Sequence, residues 1–381
     1  MAKVSINPCI LKWARKDTNL SVSEVAHKMG KNKELILLWE NGTKKPTYIQ
    51  LEKLAYNIFK KPIAIFFFPE APDIENPKKE FRTLPEYEYE KLPYNVIRLF
   101  RKAQAMQLNI QELCNGNNPS ENFIIDHISL SAKKNIESQV KMVRKHLGIK
   151  IEDQINWKST TEALKKWRQA FDDSGVFVFK DAFRYDMLSG FCLYNDNFPL
   201  IYINNSMPKT RQIFTLFHEL GHLLFKIGGI DIINDTFVDK LQNNKKQIEI
   251  FCNEFAGSLL VPDNDFRKKI NKVNINDELV YNLANRYSVS REVILRKLFD
   301  RNKISQEYYQ KRSAKWKKEA KEDRKDSNGG NYYRNQIVYL GQNYLDLVLE
   351  KYYQKKISDT QVADYLNTKV EYIPTLESYY M

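Results

Sequence analysis

The chain has no run of about 18 apolar residues, the length a membrane-crossing helix requires, so no membrane span is expected. Met1-Ala-Lys-Val leads into no apolar signal core, which argues against export. The four cysteines lie far apart and form no CxxC pair, as suits a reduced compartment. Together these absences predict a cytoplasmic protein. Histidine is also scarce, with five in 381 residues. His27, His127 and His146 have no partner at ligand spacing and are expected in surface or capping roles.

Apolar residues make up 43% of the chain, including 22 Tyr and 21 Phe, enough for real cores, and the length suggests two or three domains. The net charge of +13 favours polyanionic partners, although a Lys- and Asn-rich composition produces the same bias without function.

The two remaining histidines fall in Arg211–Lys226, RQIFTLFHELGHLLFK, as His218-Glu219-Leu220-Gly221-His222. This is the H-E-x-x-H pattern of zinc metallopeptidases. Thr210 as cap and the apolar run Ile213–Phe225 predict a largely buried helix. Positions four apart share a helix face, so both imidazoles can converge on one metal ion. Glu219 is offset by about 100° and can take a proton from a water at the metal. With so few histidines the pattern arises by chance in roughly one chain in two hundred. A chance match or a purely structural metal site is the competing reading.

A third ligand must come from another element. Cys192 and Cys252 are candidates, and the better one lies in Glu249-Ile-Phe-Cys-Asn-Glu-Phe-Ala256. Gln247–Leu260 has helical periodicity, with Ile250, Phe251, Phe255 and Leu259 apolar, and Pro262 stops it. Glu249 and Asn253 share a face, while Glu254 is expected toward solvent.

FTLFHELGHLLF followed by ExxCNxFAGSLLVP resembles the ImmA/IrrE family of metallopeptidases. The resemblance extends upstream through Gly190–Asn205, similar to the strand before the active helix, and through Phe81-Arg82-Thr83-Leu84, where Arg82 could anchor the linker. It implies that Glu249 is the third zinc ligand beside His218 and His222, and that Glu219 is the general base. Cys252 stands where the family often has Ala, and is expected to be small and buried. The metal implied is Zn2+, although two imidazoles and a carboxylate also accept Mn2+ or another divalent ion.

The first 70 residues predict a helix over Asn7–Lys16, then Ser21–Met29 with Ser21 and Glu24 as a capping box. A Gly30 turn leads into Lys33–Glu40, and a further helix spans Leu51–Phe59. Trp39-Glu40-Asn41-Gly42-Thr43-Lys44-Lys45-Pro46-Thr47 resembles the landmark of XRE/Cro-type helix-turn-helix modules. The resemblance implies DNA contacts from Asn32, Lys33 and Glu34 at the recognition helix, with Thr43, Lys44 and Lys45 meeting phosphate. Leu37 and Leu38 stand where base-reading helices carry polar residues, which suits a protein partner better. Pro62–Pro69 is expected to be packing.

The fold expected is mainly α with a small β-sheet (α+β). It comprises a five-helix helix-turn-helix domain at 1–70, a linker at 71–93, a zincin-like peptidase domain at 94–326 and a helical tail at 327–381. Within the peptidase domain, helices are expected over Tyr94–Leu113, Ser138–His146 and Ser159–Ser174. Strands are expected over Gly175–Lys180, Gly190–Tyr194 and Pro199–Ile203. A helix-turn-helix-like end occupies 277–300, and Lys311–Lys325 is a solvated basic helix. Ser327–Gly330 breaks the chain. Leu340, Tyr344, Leu347 and Val348 are periodic in the tail, and Ser358–Leu366 reads as a short helix against which Val370–Leu376 could insert.

The family likeness implies a regulatory zinc metalloendopeptidase that cleaves a repressor or antitoxin-like regulator and so releases stress, mobile-element or phage genes. The first module would bind DNA or recruit the partner, with a second copy of the chain as a further candidate partner. The competing class is a transcription regulator or antitoxin-like interaction protein with a structural zinc site.

Overall fold

A computed structural model describes residues 3–72, 92–232, 241, 243–322 and 331–380. The Phe81–Leu84 stretch with Arg82, most of the 71–93 linker and the Ser327–Gly330 break lie outside the described residues. The described residues form two compact units, divided at Arg101/Lys102. The chain is mainly helical with one four-stranded sheet. None of its described helices is long and apolar enough to cross a membrane, and none of the four cysteines is paired.

The first unit opens with α1 (Pro8–Asp17), α2 (Val22–Met29), α3 (Lys33–Glu40) and α4 (Tyr48–Glu52). Local chemistry sets each boundary. Asn7 accepts from the Cys9 N–H ahead of Pro8, and Ser21 and Glu24 form the expected capping box. Gly30 ends α2 at φ +65°, a left-handed conformation that suits glycine. The expected Leu51–Phe59 helix starts earlier, because Thr47 and Gln50 form a capping box, and it continues from Lys53 to Phe59 as a π-helical stretch. Ile10, Leu11, Ala14, Val25, Ile36, Trp39, Leu54 and Phe59 share one core. The Pro62–Pro69 cluster packs only in part: Phe66 is buried, but Phe67 and Phe68 are exposed.

The second unit takes up α5 (Tyr94–Leu113) from Lys102 and adds α6 (Ile136–His146) and α7 (Thr160–Asp173). Next come β1 (Phe177–Asp181), β2 (Leu188–Leu193), β3 (Leu200–Asn204), α8 (Lys209–Leu224) and β4 (Gly229–Ile232). The strand order is β1-β3-β2-β4; β1 and β3 are parallel, and β2 is antiparallel to both its neighbours. The edge strand β4 carries no sequence signal, since Gly-Ile-Asp-Ile is too short to show alternation.

β2 and β3 are buried along their whole length, because the sheet is covered on both faces. One face (Val178, Cys192, Ile201, Ile203) packs with Trp167, Phe171, Ile213 and Phe217 of α7 and α8. On the other, Phe191 stacks on Tyr202 at 5.4 Å and Phe179 meets Tyr344 edge-on at 5.2 Å. His127 and His146 lie against each other at 5.6 Å, with the His146 ring bonded to the Asn122 carbonyl.

The chain continues through α9 (Asn243–Leu260), α10 (Asp263–Ile270), α11 (Asp277–Tyr287), α12 (Arg291–Asp300) and α13 (Gln306–Glu322). Ser288, at φ +55°, turns α11 into α12. The tail forms α14 (Tyr332–Leu340), α15 (Gln342–Tyr353), α16 (Asp359–Tyr365) and α17 (Ile373–Tyr380). The periodic stretch through Leu340 and Val348 is two helices, split by Gly341 at φ +87°. A Cβ there would also lie 2.6 Å from the Arg168 guanidinium.

Candidate metal centre

α8 begins at Lys209 with Pro208 in the capping position, so the expected Thr210 cap is displaced by two residues and no side chain caps the helix. Its apolar residues face the sheet, α7 and α9 together, which buries it almost all round. His218, Glu219 and His222 are consequently at most 1% exposed. Gly221 lets α9 approach: a Cβ at that position would stand 2.8 Å from the Cys252 sulfur. Cys252 is buried at this crossing. The far end of α9 is pinned by Arg144 on the Leu259 carbonyl (2.8 Å) and Gln154 on the Leu260 carbonyl (2.9 Å).

This packing places Glu249 of α9, 2% exposed, against the two histidines. Asn253, expected on the same face, is exposed, as is Glu254. Ile250, expected in the apolar stripe, is 49% exposed because it lies on the outer side of α9.

The His218 and His222 Nε2 atoms are 3.1 Å apart, and carboxylate oxygens of Glu249 lie 3.4 Å and 3.3 Å from them respectively. A tetrahedral zinc with bonds of 2.0–2.1 Å separates its ligand atoms by about 3.3 Å. Each histidine thus has a different Glu249 oxygen near that spacing, one ligand atom from each of the three residues lies within 4.8 Å of the others, and their type, two imidazoles and one carboxylate, suits a divalent ion. Cys192 and Cys252 are not part of this ligand group among the described residues. Burial raises the carboxyl of Glu249, but the flanking histidines outweigh it and hold the group well below the usual carboxylate range.

Glu219 is fully buried beside the cluster, with the Cys192 thiol as the hydrogen-bonding neighbour of its carboxyl. Burial pushes its carboxyl up to about 7, against the opposing pull of His222 and His218. A carboxylate poised there can exchange protons near neutrality.

Two further contributors carry no motif. β4 crosses the face of His222 at Gly229, where a Cβ would fall 2.4 Å from ring carbons. Two residues on, Asp231 accepts from Arg211 Nη2 at 2.6 and 2.7 Å and from Thr215 Oγ1 at 2.9 Å. Arg211 Nε also donates to Ser189 Oγ at 2.8 Å, so one network ties β4 and β2 to α8. The signal available in sequence was an aspartate between two isoleucines after Gly-Gly, readable only once the strand is known.

The residues expected at DNA lie at opposite ends of α3. Asn32, Lys33 and Glu34 are exposed at its amino end, where Asn32 Oδ1 caps the Leu35 N–H at 3.1 Å. Thr43, Lys44 and Lys45 follow its carboxyl end and are exposed, with Lys45 Nζ 3.2 Å from Ser5 Oγ. Leu37 is 49% exposed on the same helix.

Residues 171–299 match the peptidase M78 family model, described as the IrrE N-terminal-like domain. The chain is also similar to the radiation response metalloprotease IrrE of Deinococcus radiodurans, 28% identical over 107 residues. That match spans 28% of this chain and 32% of the relative, about a third of its length. The matched segment runs from the end of α7 to α12 and holds both ligand-bearing helices. Residues 171–299 thus carry a likeness to the IrrE N-terminal-like domain, which supports the resemblance of this segment to the ImmA/IrrE metallopeptidases.

Proposed function

We propose that the chain is a regulatory zinc metalloendopeptidase whose substrate is a repressor or antitoxin-like protein of the helix-turn-helix class. The observation that carries the catalytic part is the buried cluster in which the His218 and His222 Nε2 atoms lie 3.1 Å apart, with one Glu249 oxygen 3.4 Å from the first and the other 3.3 Å from the second, and Glu219 buried beside it. His218, His222 and Glu249 would hold the ion, with zinc favoured by the donor set and manganese an alternative. A divalent metal supplies Lewis-acid activation of water and of the scissile carbonyl. Glu219 removes the proton from the attacking water and delivers it to the leaving amine. The enclosing helices and β4 keep bulk water from that transfer and fix the imidazoles, while Asp231 and Arg211 hold β4 in place.

In this reading residues 1–70 are an XRE-type module, 71–93 a linker, 94–326 the peptidase domain and 327–381 a helical tail, all in a cytoplasmic setting. Exposed Leu37 favours recruitment of a protein partner, and Lys44 and Lys45 favour phosphate contact. Salt titration with duplex DNA separates the two: a phosphate-driven module weakens steeply with salt, and a protein-recruiting one shows little affinity even at low salt. The substrate class is tested by incubating the protein with helix-turn-helix repressors and mapping the cuts by mass spectrometry. Cleavage by wild type but not by Glu219→Gln supports the peptidase reading. Zinc binding without cleavage of any substrate by wild type favours the interaction-protein reading.

A further inference from the structure

From Gln212 to Leu224 every residue of α8 is buried except Phe214. Phe214 stands one helical turn before His218 and shares its face. Its ring stacks beside the His218 imidazole, with centroids 6.4 Å apart and planes inclined by 28°. The Arg211 guanidinium lies 5.4 Å from the centre of the same ring. Arg211 is in turn anchored to β2 and β4, through Ser189 Oγ at 2.8 Å and the Asp231 carboxylate at 2.6 and 2.7 Å.

These contacts hold the ring in one orientation without covering it. A single partly exposed apolar residue is ordinary on a protein surface. This one differs because it touches a metal-ligand candidate. His218, Glu219, His222 and Glu249 are at most 2% exposed, so within residues 212–224 of α8 only Phe214 presents a surface to solvent beside them. An extended peptide advances about 3.3 Å per residue. A ring 6.4 Å from the His218 imidazole therefore falls within about two residues of a bond cut at the cluster.

We propose that Phe214 determines side-chain specificity at this site, an inference that rests on the peptidase reading above. Its ring is the apolar wall that receives a substrate side chain close to the scissile bond, favouring Leu, Ile, Met or Phe over acidic residues. Docking an apolar side chain removes apolar area on both partners from water. A carboxylate placed there would lose hydration against the negative face of the ring. Arg211 does not offset that loss, because its Nε and Nη2 are committed to Ser189 and Asp231. Arg211 is instead a positioning residue: it steadies the ring before substrate arrives, which lowers the ordering cost of the contact.

The test is calorimetric titration of the zinc-loaded full chain with N-acetyl-leucine hydroxamate and N-acetyl-aspartate hydroxamate, which share one metal-chelating group. Wild type should bind the leucyl probe at least about tenfold tighter. Phe214→Leu should keep that preference, and Phe214→Ala should bring the ratio close to one at unchanged zinc content. A ring that only packs would not move the ratio. The same ratio in Phe214→Ala as in wild type overturns the proposal, as does equal weakening of both probes with loss of zinc. Should Phe214→Ala fail to fold, Phe214→Gln, which keeps much of the length and adds a polar end, decides by the same ratio. Cleavage of a denatured casein digest, mapped by mass spectrometry, tests the underlying reading separately. Wild type should cut beside apolar residues and Phe214→Ala should lose that bias; an unchanged bias overturns the proposal. Wild type that shows the tenfold ratio but cuts nothing supports the Phe214 wall and overturns the peptidase reading instead.

Discussion

The backbone of Gly229 runs across the imidazole of His222 so closely that a methyl group there would sit 2.4 Å from the ring. The edge strand and a metal-ligand candidate are thus one packed unit. Gly229→Ala must move either the strand or the ring. Metal affinity should fall by about ten- to a hundredfold, the scale seen when a ligand's support is disturbed. Competition with a fluorescent chelator measures this; unchanged affinity would show that the strand yields freely.

Gly221 and Cys252 make a comparable contact between α8 and α9. Gly221→Ala should be destabilising, because its Cβ meets the Cys252 sulfur at 2.8 Å, despite the gain of about 1 kcal/mol in helix propensity. Combining it with Cys252→Ala removes the sulfur contact and leaves the residue-252 Cβ at 3.3 Å, so the double variant should recover about 1–2 kcal/mol relative to the sum of the singles. Urea titrations of the four proteins give the coupling, and simple additivity would contradict the contact.

Asp231→Asn should loosen β4 from α8. The buried carboxylate holds Arg211 through two short bonds and Thr215 through a third. Loss of one partner of such a pair costs about 1–3 kcal/mol when hydrogen bonding is partly retained. Thermal melts report the stability loss, and slower peptide cleavage at unchanged metal content would report the misplaced strand. A variant indistinguishable in both would remove Asp231 from the account.

The first unit should be acid-sensitive through Asp17. Burial raises this carboxyl, but hydrogen bonds from Arg101 and Lys61 outweigh it and set the folded value below the ordinary 3.8. Above that ordinary value both states are ionised and the contribution is complete. As pH falls toward the folded value, the unfolded chain takes up the proton first and stability is lost. Urea melts between pH 5 and pH 2 should therefore show a steeper decline in wild type than in Asp17→Asn. Parallel declines would mean that the pair contributes nothing.

Legibility in the sequence followed the range of the interactions. The two histidines could be placed on one face because four residues of helix determine where side chains point. The capping boxes and the Gly30 turn were equally local. Glu249 was reachable only through resemblance, since the crossing of α8 and α9 at Gly221 and Cys252 brings it to the histidines. Gly229 and Asp231 were missed because their contacts arise from the register of a four-residue edge strand. The displaced cap at Thr210 and the exposure of Ile250 are smaller failures of the same kind. Tertiary packing, which periodicity does not encode, decided both.

The central claim is tested most directly by metal content measured together with turnover. Wild type, Glu219→Gln and Glu249→Ala are purified, reconstituted with zinc, dialysed, and analysed by elemental mass spectrometry alongside a repressor-cleavage assay. The account predicts about one zinc in wild type and in Glu219→Gln, cleavage only by wild type, and weakened zinc retention in Glu249→Ala. Wild type that retains no zinc or other divalent ion, or Glu219→Gln that cleaves at the wild-type rate, would contradict it.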